Sequence, residues 1–331
     1  MDKKEKNTII KCVGVKKYFP ISNKNLKGIN HFLHAVDDVS FEIHRKEIFG
    51  IVGESGSGKS TIGRCILNLH KTTAGEIYFE DKQINNLTNK ELKEYRGKMQ
   101  MVFQNPFASF NPKKSIQSIF AELGHSVGMS KEESIGRASE LLEMVSLLPQ
   151  FEILRRYPKE MSGGQLQRLA IARALMLGPE FLIADEPVSA LDVSVQAQIL
   201  NLFVELRDKL GLTILFVSHD LTVVENICDT VAVVYLGVIV EMGPASKLFG
   251  NILHPYSEAL ISAKPKNHPS DSSQRIILEG DIPNAVDVKE GCRFADRCKY
   301  CKGDKCRNET PKLQEIEDGH YVACHYPLLH K

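Results

Sequence analysis

Over residues 1–250, short β-branched runs alternate with stretches whose apolar positions recur at helical spacing, the signature of an α/β fold. Ile48–Val52, Phe181–Ala184, Thr213–Val217 and Val231–Tyr235 are predicted strands. In SVQAQILNLFVELRDKLG, Ile199, Leu202, Phe203, Leu206 and Leu210 keep to one helical face, and Gly211 ends the pattern. From residue 105 to about 175 the pattern changes. Pro106 and Pro112 are followed by polar helical stretches through SKEESIGRASELLEMVSLL, which predicts a helical subdomain inserted into the α/β core. Residues 251–331 form a C-terminal extension, in which polar KPKNHPSDSS (264–273) predicts a linker. Neither repeats nor coiled-coil heptads are present.

Composition adds boundaries. The 331 residues are 43% hydrophobic and 25% charged, ordinary for a globular chain with ample core. A net charge of +1 gives no global argument for nucleic acid or an acidic membrane. The longest apolar run, VAVVYLGVIV at 231–240, is far short of the ~20 residues that span a bilayer. MDKKEKNTII is charged with no apolar stretch of signal-peptide length after it. A cytosolic chain is expected, with any membrane function supplied by a partner, and a reducing compartment disfavours disulfides.

The strongest local signal is IFGIVGESGSGKSTIGRCIL. An apolar strand enters Gly53-Glu54-Ser55-Gly56-Ser57-Gly58-Lys59-Ser60-Thr61, which fits G-x-x-x-x-G-K-[ST], and a helical pattern follows. The glycines let backbone N–H groups turn inward around a phosphate. Lys59 supplies a point charge, the Ser60 hydroxyl can ligate Mg²⁺, and the helix adds its positive end. Further on, FLIADEP is a buried strand ending in Asp185 and Glu186. Asp185 can hold the Mg²⁺ water shell, and Glu186 can polarise an attacking water as general base. Alone, an apolar run ending in Asp-Glu is better read as a surface pair at a strand end; after a phosphate loop the catalytic reading dominates. In MSGGQLQRLAIARALMLGP, Ser162 fits a helix N-cap, with Leu166, Leu169, Ala170 and Leu175 as the stripe behind it. Ser162-Gly163-Gly164 exposes backbone donors at that helix N-terminus, a second anion site that a second copy of the fold could use.

The order of these motifs, with VFQNP (Gln104), SALD (189–192) and FVSHD (His219), resembles an ABC transporter ATP-binding subunit over about 1–250. The resemblance implies a P-loop NTPase of the ABC type: a RecA-like core with an antiparallel β subdomain and a helical subdomain. It implies ATP and Mg²⁺ as cofactors. Lys59, Ser60 and Thr61 would bind phosphates and Mg²⁺ with the backbone of Gly53–Gly58, Asp185 would organise Mg²⁺, and Glu186 would be the base. Gln104 would join the metal shell and relay to the membrane partner, while His219 would contact the γ-phosphate. Ser162, Gly163, Gly164 and Gln165 would reach the ATP of the opposite subunit, with Asp192 at that interface. Tyr18 in VKKYFP matches the adenine-stacking position, although Phe19 adjoins it. Met161 stands where the family usually has Leu.

KYFPI, KMQMVFQNPFASFNP, ADEPVSALDVSVQAQILNL and HPYSEALISAKP narrow the resemblance to the peptide/nickel importer branch, nearest the second of its two ATPase subunits. That branch implies a peripheral subunit on the cytoplasmic face of the membrane. Its partners would be a second, different ATPase chain, two permease chains and an extracytoplasmic binding protein, with no nucleic acid. The expected cargo is oligopeptides or dipeptides; nickel, glutathione or another small solute is the alternative. A DNA-repair ATPase with a zinc hook would need long coiled coils, and a translation-type protein would need two ATPase units. A third rival, an ATPase with a metal- or redox-sensing tail, rests on the cysteines alone.

Five of the eight cysteines, Cys292, Cys298, Cys301, Cys306 and Cys324, crowd GCRFADRCKYCKGDKCRNETPKLQEIEDGHYVACHYP, which is read as a metal-binding module at 291–326. Cys12, Cys65 and Cys228 are scattered and read as packing. Four thiolates satisfy either tetrahedral zinc or an iron–sulfur cluster. The spacings x5, x2, x4 and x17 fit no common zinc-finger pattern, and His320 and His325 stand as further zinc ligands. The importer resemblance implies a [4Fe–4S] set of Cys292, Cys298, Cys306 and Cys324. The Cys298–Cys306 interval is one residue longer than usual there, so Cys301 could replace Cys306.

Overall fold

The computed structural model describes residues 7–21, 31–263, 276–278, 285–286, 288 and 290–328. The linker expected at 264–273 lies outside the described residues. The chain divides into two compact units, Met1–Asn86 with Ser218–Lys331, and Leu87–Val217.

The first unit opens with β1 (Thr8–Ile21) and β2 (His31–His44), two long antiparallel strands. β3 (Ile48–Val52) and α1 (Lys59–Ile66) follow, then β4 (Ala74–Phe79) and β5 (Lys82–Gln83). β2, β1, β4 and β5 neighbour one another in that order as an antiparallel sheet. Its inner face buries Ile10, Val36, Val39, Ile43, Ile77 and Phe79. Every residue of β3 is buried, which explains its unbroken apolar run. Gly50 sits inside it because a Cβ there would fall 2.8 Å from Val224 and 2.9 Å from Cys228 Sγ.

The second unit contains α2 (Leu92–Lys98), β6 (Met99–Val102), α3 (Ile116–Ser126), α4 (Lys131–Met144), α5 (Gln150–Arg155) and α6 (Gly163–Leu175). It continues with β7 (Phe181–Asp185), α7 (Val193–Leu210) and β8 (Thr213–Ser218). β6, β7 and β8 are parallel, with Met101 opposite Ile183 and Ile183 opposite Leu215. Ser115, Ser130 and Ser162 cap α3, α4 and α6, the last two with full capping boxes. Ile116, Phe120, Leu141, Leu142, Leu166 and Leu169 close the core of this helical cluster. α7 buries Ile199, Leu202, Phe203 and Leu206, sets Phe203 edge-on to Phe216 at 5.8 Å, and ends at Gly211 with φ 65°.

The chain then re-enters the first unit through α8 (Leu221–Ile227), β9 (Thr230–Tyr235), β10 (Val238–Pro244), α9 (Ala245–Gly250) and α10 (Pro255–Ser262). α11 (Asp304–Asn308), β11 (Gln314–Glu317) and β12 (His320–Val322) follow. In this unit the strand order is β11, β12, β10, β9, β3, with β9 parallel to β3. β12 pairs antiparallel with β10, Glu241 opposite Val322. The extension therefore widens the sheet that carries β3. A buried carboxylate fastens it: Glu241 accepts from the Leu253 and His254 N–H groups at 2.8 and 2.9 Å, and from His320 Nε2 at 2.9 Å.

Candidate functional site

In the first unit β3 delivers the chain into the Gly53–Gly58 loop. Gly53 and Gly58 have φ of 153° and 102°, and a Cβ would fall 2.1 Å from the Val234 carbonyl oxygen or 2.0 Å from that of Ala35. Both positions exclude any side chain. Lys59 is buried and donates to the carbonyls of Gly53 and Glu54, each at 2.8 Å. These are neutral acceptors, which a phosphate oxygen would outcompete as a partner for an ammonium. Ser60 and Thr61 occupy the first turn of α1. The Ser57 hydroxyl is buried without a partner among the described residues, and its carbonyl accepts from Gly237 N–H at 2.8 Å.

Glu54 is the odd member of this loop, a carboxylate where anions are to bind. Arg297, in the segment between Cys292 and Cys298, grips it with both terminal nitrogens, at 2.9 Å to Oε2 and 3.2 Å to Oε1. That bond, ahead of all other causes, raises the Arg297 pKa above its ordinary value. The Glu54 N–H donates to the Tyr256 hydroxyl at 2.9 Å. Tyr256, Tyr235 and Phe294 pack as one aromatic group, with centroids 4.6–5.4 Å apart.

Tyr18 stacks on His34, its β-ladder partner, at 4.0 Å, and its hydroxyl donates to Asp37. Arg293 donates to the same Asp37 and to the Leu236 carbonyl. Burial pushes the Asp37 carboxyl up, but the bonds from Tyr18 and Arg293 outweigh it and hold the group below its usual range. Phe19 is engaged elsewhere, edge-on to His70. His219, exposed, follows β8 just before Asp220, whose side chain caps α8.

The second unit gathers another set. Asp185, at the end of β7, is 2% exposed. Glu186 follows with φ 46°, its N–H bonded to the Val217 carbonyl, and it accepts from Gln104 Nε2 at 2.9 Å. Gln104 and Glu186, 82 positions apart in the chain, are thus a direct pair. Ser162 caps α6 reciprocally with Gln165, at 3.3 and 3.1 Å. Gly164 lies where α6 meets α7, since a Cβ would fall 2.7 Å from Val195. Asp192 caps α7 through Val195 N–H at 3.0 Å, and its pKa is lowered first by the Ser194 hydroxyl and then by that N–H.

All five tail cysteines line one small pocket, partly open to solvent, with Phe294, Tyr300, His325 and Tyr326 around them. Cys324 Sγ accepts the Tyr326 N–H at 3.4 Å. Burial pushes the Cys292 thiol up to about 12 and Cys298 up to about 11, with the Phe294 and Tyr300 backbone pulling the other way. No group of three or more His, Cys, Asp or Glu among the described residues is arranged around a single ion. His320 does not line the pocket: it is fully buried against Glu241, so the sequence-based expectation of a zinc ligand there is corrected.

Arg293, Arg297, Asp37 and the Glu241–His320 pair escaped the sequence reading. One signal was present: an acidic residue inside a phosphate loop needs a cation from elsewhere.

Residues 36–189 match the family model for the ABC transporter, and residues 240–306 match that for the oligopeptide/dipeptide transporter C-terminal region. The chain is similar to the oligopeptide transport ATP-binding protein AppF of Bacillus subtilis, 47% identical over 96% of this chain and 97% of that one. It is also similar to the dipeptide transport ATP-binding protein DppF of Haemophilus influenzae, 44% identical over 97% of each. Among solved structures, a dimeric post-hydrolysis ATP-binding cassette bound to ADP and Pi aligns with a TM-score of 0.63. That match is 31% identical and covers 71% of this chain and 98% of that one.

Proposed function

The chain belongs to the ABC transporter ATP-binding family, in the group that carries the oligopeptide/dipeptide C-terminal region, and from this we propose that it hydrolyses ATP to power peptide import through a membrane complex. The observation that carries the reading is the union of a closed phosphate loop with that C-terminal region in one chain. No helix among the described residues is long and apolar enough to cross a membrane. Permease chains would therefore form the path, with this subunit peripheral on their cytoplasmic face and a binding protein supplying cargo.

Lys59 would exchange its two carbonyl partners for phosphate oxygens, and Ser60, Gln104 and Asp185 would hold the Mg²⁺ shell. Glu186 would take the proton of the attacking water, oriented by the Gln104 amide. Tyr18 would stack on adenine, and His219 would meet the γ-phosphate. Ser162–Gln165, with Asp192, would serve the nucleotide of a second, different ATPase chain; the dimeric ADP-bound cassette supports the pairing of two cassettes as such. Because each site borrows from a second subunit, the isolated chain is expected to turn over ATP slowly and to gain rate with its partners. The test is ATP-driven uptake in proteoliposomes holding the complex. Peptide uptake that depends on this chain supports the reading; transport of nickel but not peptide overturns the cargo.

For the cysteine pocket we propose a [4Fe–4S] cluster on Cys292, Cys298, Cys306 and Cys324, with Cys301 able to replace Cys306. Each thiolate of such a set binds a different iron, so the ligands need not converge on one point. The Tyr326 N–H on the Cys324 sulfur suits a thiolate bound to a metal. A cluster would supply a covalent crosslink and a one-electron couple. Iron and acid-labile sulfide analysis of the anaerobically purified chain tests this, with stoichiometric zinc as the outcome that overturns it.

A further inference from the structure

Glu54 sets a problem that the fold solves in an unexpected place. A carboxylate in a phosphate-binding loop repels the anion that the loop exists to hold. Its neutralising partner, Arg297, comes from 243 positions away and has a side chain only 7% exposed. Water screens this pair little, and its fork geometry fixes the direction of the Glu54 side chain. The Tyr256 hydroxyl holds the backbone of the same residue.

The grip has a second point. Arg293, one helical turn before Arg297 in sequence, donates to the Leu236 carbonyl in the β9–β10 turn. The next residue of that turn, Gly237, donates its N–H to the Ser57 carbonyl in the loop at 2.8 Å. The 293–297 segment therefore holds the loop at Glu54 directly and at Ser57 through one turn.

We propose that Arg297, seconded by Arg293, is a positioning residue for nucleotide binding: it cancels the Glu54 charge and fixes the loop in its phosphate-accepting shape. The C-terminal extension is thus part of the nucleotide site. The proposal rests on the assignment of Gly53–Thr61 to the phosphates, which a Lys59→Ala chain binding ATP as tightly as wild type would remove independently.

The test is equilibrium titration of the full chain with fluorescent mant-ATP and mant-AMP in Mg²⁺, with a thermal melt on every variant. Arg297→Gln leaves an uncompensated carboxylate in the phosphate loop. The Kd for mant-ATP should rise about tenfold, the scale of a lost charge-assisted bond, and that for mant-AMP much less. Adding Glu54→Gln to that chain removes the repulsion and should recover most of the loss. A merely structural role would weaken both nucleotides alike and allow no such rescue. Equal losses for the two nucleotides, absence of rescue, or a wild-type Kd in folded Arg297→Gln each overturn the proposal. If Arg297→Gln does not fold, Arg297→Lys keeps the charge without the fork and should show a smaller, ATP-selective loss. Wild-type affinity in that variant would overturn it equally.

Discussion

Glu186 carries a non-glycine φ of 46°, a costly backbone state that persists where surrounding bonds enforce it. Here the Val217 carbonyl holds its N–H, and the Ser189 N–H and hydroxyl hold its carbonyl, at 2.9, 3.3 and 3.1 Å. The side chain is thereby presented to Gln104. Glu186→Gln keeps the shape but removes the proposed proton acceptor. ATP binding should persist, while turnover should fall by at least the ~10²–10⁴-fold that general bases contribute. Phosphate release by the reconstituted complex, set beside mant-ATP binding, measures both; turnover near the wild-type rate would remove Glu186 from the role. A second residue-scale expectation concerns Glu241, fully buried with three donors aimed at it. Glu241→Ala strands all three, so a loss of about 3–5 kcal/mol is expected by chemical denaturation. A loss below about 1 kcal/mol would show that solvent reaches those groups.

At the scale of elements, α6 and α7 approach closely because Gly164 has no side chain. Gly164→Ala places a Cβ 2.7 Å from a Val195 methyl, and should cost about 1–3 kcal/mol of stability. Val195→Ala in the same chain should return most of it, since the obstruction is the tip of one side chain. Failure of that compensation, read from paired melts, would place the cost in the backbone. Such elements were legible beforehand. Unbroken apolar runs marked β3, β7, β8 and β9, and Gly211 marked the end of α7, because burial and capping leave short-range patterns. The cap at Ser162 was legible for the same reason. Arg293 and Arg297 were not, since nothing local distinguishes an arginine that pairs with a residue some 250 positions away from one in solvent. The same holds for His320: its sequence neighbourhood is the cysteine stretch, while its partner is Glu241 on β10. The acidic Glu54 in an anion-binding loop was the one mismatch that pointed outward.

At the scale of the whole molecule, the extension can be held to the rest of the first unit in two ways, and they separate experimentally. A metal in the cysteine pocket would crosslink Cys292, Cys298 and Cys324 to one another. The noncovalent attachments are independent of it: β12 on β10, His320 on Glu241, Phe294 among Tyr235 and Tyr256, and the two arginines. Losing buried Phe294 alone is worth about 3–5 kcal/mol, and stranding a partner of Glu241 adds about 1–3 kcal/mol, against a typical total of about 5–15 kcal/mol. Truncation after Ala263 would also bare β10, where Ile239 and Val240 are now buried, as an open apolar edge. Cys292→Ser with Cys298→Ser should therefore leave a soluble, folded chain that melts at a lower temperature, whereas the truncated chain should aggregate. Size-exclusion chromatography and thermal melts of the two proteins decide the order. A truncated chain that stays monomeric while the serine variant unfolds would mean that the metal, and not the sheet, holds the extension in place.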